Sequence, residues 1–138
     1  MFLRYAFLAD AVTIDSSGKV TAVGIFDRIF AAQFPSLHRD MTIVAFFEGA
    51  SHEQGEHKAT FELRDDKANQ LGIMTVGINL DQPGVANGSV RVGVVGKLQD
   101  IPFRNSGPYE FVIFVDERFM GRIPFLVQQL RVEKKGEA

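Results

Sequence analysis

Between Pro108 and Val132 two apolar runs face each other across a short polar break, and that pairing restricts the fold more than any other stretch of the chain. The first run, Pro108-Tyr109-Glu110-Phe111-Val112-Ile113-Phe114-Val115-Asp116, reads as a strand, in which side chains alternate between two faces. Glu117-Arg118-Phe119-Met120-Gly121 reads as the turn, and the second run ends Phe125-Leu126-Val127-Gln128-Gln129-Leu130-Arg131-Val132. Tyr109, Phe111, Ile113 and Val115 fall on one face and Val112 and Phe114 on the other, so both sides are apolar. Such a strand needs cover on its second side, from a loop of its own chain or from another copy.

The same alternation recurs upstream. Asp15-Ser16-Ser17-Gly18-Lys19 separates residues 3–14 from 20–29, a hairpin. A loop spans 31–40, the only stretch with room for a short helix or 3₁₀ turn, at 34–40, because Phe34, Leu37 and Met41 recur at three- to four-residue spacing. Met41 to Glu48 follows as a strand, in which Phe46 and Phe47 face opposite ways. After a polar loop from Gly49 to Glu56, His57, Ala59, Phe61 and Leu63 alternate with Lys58, Thr60, Glu62 and Arg64. Asp65 to Gln70 turns the chain into a run from Leu71 to Leu80, and Pro83-Gly84 and Asn87-Gly88 mark another excursion. Val90, Val92, Val94 and Leu98 then alternate with Arg91, Gly93, Val95 and Lys97. About eight strands without a persuasive helix predict an all-β chain. The expected architecture is a two-sheet antiparallel β-sandwich, immunoglobulin-like or jelly-roll-like, with one domain over 1–134 and a flexible tail at 135–138.

Composition removes several classes of chemistry. With no cysteine there is no disulfide scaffold, no thiolate nucleophile and no cysteine-ligated metal. That fits a reducing compartment, and a cytoplasmic location is expected. A net charge of -2 with scattered lysines and arginines lacks the field that holds a nucleic-acid backbone. Nucleic-acid binding would need Arg4, Arg28, Arg91, Lys97 and Arg104 on one face beside exposed aromatic rings. The apolar start is interrupted by Arg4, Tyr5 and Asp10, so it reads as a first strand and no membrane partner is expected.

Catalytic patterns are sparse. His52-Glu53-Gln54-Gly55-Glu56-His57 is not the His-Glu-x-x-His whose histidines share a helix face, and Gly55 opposes a helix there. No Gly-x-Ser-x-Gly elbow, phosphate loop or dinucleotide fingerprint is present. No metal and no cofactor are expected, no catalytic residue is named, and whether the chain is an enzyme stays open.

Leu8-Ala9-Asp10-Ala11, Gly24-Ile25-Phe26-Asp27-Arg28-Ile29 and Phe34-Pro35 resemble the opening of a family of small uncharacterised bacterial proteins of unknown function. The resemblance continues through Phe47-Glu48-Gly49, Gly107-Pro108-Tyr109-Glu110-Phe111, Val115-Asp116, Gly121 and Pro124-Phe125. It implies an immunoglobulin-like or related sandwich and brings no activity. The end hairpin is also similar to the last two strands of many immunoglobulin-like modules, where Gly-x-Tyr-x-Phe enters the penultimate strand.

Four residues stand out as candidates for binding. Asp27 and Arg28 sit among Gly24-Ile25-Phe26 and Ile29-Phe30, where they read either as a structural ion pair, with Asp10 as a further partner, or as a charge awaiting a ligand. Phe47 and Phe114 mark strands that are apolar on both sides, and replacing Phe114 by Glu is expected to abolish association. The leading expectation is a non-catalytic intracellular interaction or scaffold domain that self-associates or binds a protein partner. The alternative is a small-ligand module or weak enzyme using loops 49–56, 65–70 and 81–89.

Overall fold

The computed structural model describes residues 1–80 and 88–131. In chain order its strands are β1 (Phe2–Ile14), β2 (Val20–Phe26), β3 (Arg28–Ala31), β4 (Ser36–Ala50), β5 (Glu56–Arg64), β6 (Gln70–Asn79), β7 (Ser89–Phe103), β8 (Gly107–Val115) and β9 (Arg118–Gln129). Sheet A has the order β2-β1-β4-β7 and sheet B the order β3-β9-β8-β5-β6. The chain is therefore all-β in two sheets, with nine strands among the described residues. Every pair is antiparallel except β3 with β9, which run parallel and close one edge of sheet B. The excursion at Pro83-Gly84 and Asn87, Val132 and the tail at 135–138 lie outside the described residues.

One continuous core fills the space between the sheets. Sheet A contributes Leu8, Met41, Ile43, Ala45, Phe47 and Val94, and sheet B contributes Ala59, Phe61, Leu63, Tyr109, Phe111, Ile113, Val115, Ile123, Phe125 and Val127. The two-residue alternation read for β5, β7 and β8 sets these faces. Phe125 stacks near Tyr109 and Phe111 at centroid distances of 5.8 and 5.7 Å, and Phe103 meets Tyr109 edge-on at 4.9 Å.

The expected first hairpin is cut short by a change of sheet. β2 leaves β1 after Phe26, and from Arg28 the chain belongs to sheet B, where the carbonyl of Asp27 accepts a hydrogen bond from the Leu126 amide at 2.9 Å. A break in alternation marks the crossing, since Phe26 packs against the core and the next core residue is Ile29, three positions on. Glycine is favoured just before it at position 24, where φ is +68° and a Cβ would press on the Asp10 side chain.

Two local expectations are overturned. Residues 36–40 of the expected loop are strand, neither loop nor helix: Ser36, Leu37 and His38 pair with Phe103, Pro102 and Ile101. Seven residues of helical spacing cannot outweigh a ladder to a 15-residue neighbour that satisfies the backbone groups. The tail hairpin turns at Asp116-Glu117, not across 117–121. Both residues have positive φ, 49° and 68°, the geometry of a tight turn whose twist matches its strands.

Candidate functional site

An antiparallel sheet with one free face ordinarily turns polar residues outward. Sheet A does not. A β-bulge between Leu3 and Tyr5 reverses the facing of β1, so that Leu3 packs against the core while Tyr5 emerges on the outer side opposite Phe46. The Tyr5 ring stacks on Phe46 at 4.9 Å and lies 6.3 Å from Phe7. Val44, on the same outer side opposite Phe7, is wholly covered. Gly93 leaves room for the Phe46 ring, because a Cβ there would come within 2.7 Å of its Cζ. Beyond β1 the face continues over Ile25 and Val23, 62% and 64% exposed, while Tyr5 is 47% exposed. Its central rows, Tyr5–Phe46–Gly93 and Phe7–Val44–Val95, carry no charge; Arg4, Glu48 and Arg91 stand toward one end and Asp40 and Lys97 toward the other.

The predicted binding residues are not brought together. Phe47 is enclosed in the core, so of the Phe46-Phe47 pair it is Phe46 that faces outward. Phe114 is half-buried on the outer side of sheet B, with Phe119 at 6.3 Å and the Arg64 guanidinium 5.8 Å from its ring. Its companion Val112 is buried between the cross-strand neighbours Glu62 and Arg122. Asp27 marks the sheet crossing, and Arg28 is exposed on β3 and donates to the Gln128 side chain at 3.2 Å. Among the described residues no ion pair joins Asp27, Arg28 and Asp10. The loops assigned to a ligand site also separate: 49–56 leads into β5 and 65–70 leaves its far end.

Two polar clusters were not legible as such. Glu48 is buried and accepts from Ser89 Oγ and Arg91 Nε at 2.9 Å each and from Arg4 at 3.1 Å; these donors, Ser89 first, hold its carboxyl below the usual range. His57 contacts Asp116 Oδ2 through Nδ1 and the Glu53 carbonyl through Nε2, both at 2.6 Å. Two acceptors on one ring favour the doubly protonated imidazolium, and the Asp116 bond followed by the Glu53 carbonyl raises the pKa of His57. Asp116 also accepts from the Lys58 amide at 2.9 Å, and His57 before all else lowers its pKa. With both nitrogens engaged, His57 is not disposed to join His52 around a metal. Among the described residues no group of three histidine or acidic side chains is placed to hold one.

The side of the sandwich where β6 and β7 are the edges carries two adjoining hollows. A cleft of about 220 Å³ reaches Phe61, Leu63 and Phe111 beneath β6. It shares Leu71 and Pro102 with a polar basin of about 570 Å³, walled by the 65–70 turn and residues 104–109. Asp65 closes its own turn by accepting from the Lys67 and Asn69 amides at 2.9 Å each, with Asn69 Nδ2 at 3.0 Å. Tyr109 donates to the Asn105 carbonyl at 2.7 Å. Lys67 and Arg104 form no ion pair among the described residues, and Asp66 stands on the same rim.

Among the described residues no helix is long and apolar enough to cross a membrane. No curated protein matches the sequence. Among solved structures the chain is similar to the Pseudomonas fluorescens alkylpurine DNA glycosylase AlkC bound to DNA containing an abasic site analog, at 6% identity and a TM-score of 0.46. The match covers 89% of this chain and 30% of that one, and so remote a likeness carries no functional weight. Residues 4–128 match the model of a family described as of unknown function, DUF6941, and the chain belongs to that family.

Proposed function

We propose that the chain is a non-catalytic interaction module, built as an immunoglobulin-like sandwich over residues 1–134, that self-associates through the outer face of sheet A. The uncharged aromatic centre of that face carries the proposal. Four strands at ~4.8 Å spacing and about ten residues at ~3.4 Å rise give the face roughly 650 Å². That is of the order of the ~800 Å² each partner buries in a stable interface. A second copy is the occupant best matched to it, because a twofold contact sets the same patch against itself and the central rows meet no like charge. Immunoglobulin-like character is supported by β3 running parallel to the last strand. It is supported too by the Tyr109 hydroxyl bonding back to Asn105, two residues before the core Phe111. The absence of cysteine is in keeping with a cytoplasmic setting.

Sedimentation over a wide dilution range tests the assignment. The wild type is expected to run as a dimer, and Tyr5→Glu combined with Ile25→Glu is expected to raise its dissociation constant by roughly 100-fold, about 2.8 kcal/mol, while the monomer stays folded. A wild type that is monomeric at every concentration, or an assembly indifferent to both changes, would refute it.

A further inference from the structure

The end of β1 and most of β2 leave the sandwich together. The ladder from β1 to β4 stops at the Ala9–Thr42 pair, whereas the ladder from β1 to β2 runs on through Ala11–Val23, Val12–Ala22 and Thr13–Thr21 to Ile14–Val20. Residues 10–24 therefore form a two-stranded arm, and none of them is buried. Its tip is fixed by hydrogen bonds. Asp15 Oδ1 accepts from the Ser17 and Lys19 amides at 2.8 and 3.0 Å, and the Asp15 amide donates to the Lys19 carbonyl at 2.9 Å. The stem is apolar on both sides, with no charge between Asp10 at its base and Asp15 and Lys19 at its tip. A ribbon of two strands is marginal in water by itself. A stem so free of charge, held in register by so well-bonded a turn, gains its stability from a surface outside its own chain.

We propose that this arm extends the sheet A contact onto a second copy of the chain, which it meets with the side that carries Ala11, Thr13, Thr21 and Val23. The inference rests on the sheet A reading and enlarges it. By the β1–β2 register these four residues lie on the same side as Tyr5, Phe7 and Ile25, so the arm continues the outer face without a break. Two strands of four residues, at ~4.8 Å spacing and ~3.4 Å rise, add roughly 130 Å² to a face of roughly 650 Å². The sum reaches the ~800 Å² that each partner of a stable interface buries, which the sheet alone falls short of. A second copy also sets an uncharged stem against uncharged rows. A bilayer suits the arm poorly, because the residues that would enter it first, Asp15 to Lys19, are the polar ones.

Sedimentation and hydrogen exchange of the full chain test this. Thr21→Glu combined with Val23→Glu is expected to raise the dissociation constant of the dimer about tenfold, whereas Ile14→Glu, on the opposite side of the arm, is expected to leave it unchanged. Stem amides are expected to exchange quickly in dilute protein and to slow as the dimer forms. The proposal is overturned if the Thr21→Glu, Val23→Glu variant dimerises like the wild type, if Ile14→Glu weakens the dimer equally, or if stem exchange ignores protein concentration. Flotation of the wild type with phosphatidylglycerol vesicles that is lost in the Thr21→Glu, Val23→Glu variant gives the arm to a membrane and likewise overturns it. A dimer that dissociates in Tyr5→Glu, Ile25→Glu but not in the arm variant leaves the sheet A reading standing alone, and a wild type that is always monomeric ends both.

Discussion

Sheet B clothes its outer side with charge across and along its strands, Arg64 against Glu62 and Arg122 against Glu110, whereas the equivalent central rows of sheet A carry Tyr5, Phe7, Phe46 and Val44. Both sheets enclose the same core, and sheet B too leaves Phe30, Ile73 and Phe119 exposed on its outer side, but its central rows are interleaved with charge. The central apolar residues facing out from sheet B, Val112 and Phe114, are shielded by long side chains from neighbouring strands; Arg64 covers Phe114 with its guanidinium. On sheet A Val44 is wholly covered, Phe7 and Phe46 are half-buried, and Tyr5 stays exposed with no charged side chain in its row. Apolar residues on an outer face therefore do not by themselves define a contact surface. What decides is whether charged stems on adjacent strands reach over them.

The sharpest test of this contrast uses two neighbours in sequence. Phe47→Ala should cost about 3–5 kcal/mol at any protein concentration, because it empties the shared core. Phe46→Ala should cost the isolated monomer about 1–2 kcal/mol, and urea unfolding should show a loss that grows with protein concentration because association is lost as well. Phe114→Glu, on the other sheet, should cost about 1–2 kcal/mol and leave the sedimentation mass unchanged; a drop in mass would restore sheet B as the contact surface. A smaller effect, about 1 kcal/mol, is expected of Gly93→Val, whose added carbons displace the Phe46 ring and should weaken association without touching the inner face. Salt separates the faces further. At about 1 M the Debye length falls to ~3 Å, so the ion pairs of sheet B weaken while association through sheet A holds.

The mildest effect is that of pH, and it belongs to sheet B. The pKa of His57 is raised in the folded chain, so its bond to Asp116 stabilises fully below about pH 6.5 and is lost as pH rises through the folded value. The pKa of Asp116 is lowered, so its share is present above about pH 4 and is lost as pH falls through its folded value. Stability measured by urea at pH 6 and pH 8 should decline in the wild type and stay level between them in His57→Gln. The sheet A dimer should be equally tight at both.

Alternation made β5, β7 and β8 legible, with the faces of Phe61, Val94 and Phe111 assigned correctly, because a two-residue period is a property of local backbone geometry. It could not say which of Phe46 and Phe47 lies inside, since the pair alternates equally well either way. The bulge that turns Tyr5 outward was hidden for a related reason: it breaks the count at one residue whose identity carries no mark. Asp27 and Arg28 drew notice as charges within an apolar run, and their place at the crossing between sheets explains that run. Glu48 and His57 escaped as sites because their partners lie 41–44 and 59 residues away, beyond any spacing rule.

The parallel pairing of β3 with β9 has a consequence for biosynthesis. Arg28 and its partner Gln128 are 100 positions apart, so the segment that changes sheets leaves the ribosome long before the strand that receives it exists. Until then the Asp27 carbonyl and the inner side of Ile29 have no seat. Closure of that edge must wait for nearly the whole described chain, which makes it a late step among pairings that are mostly non-local.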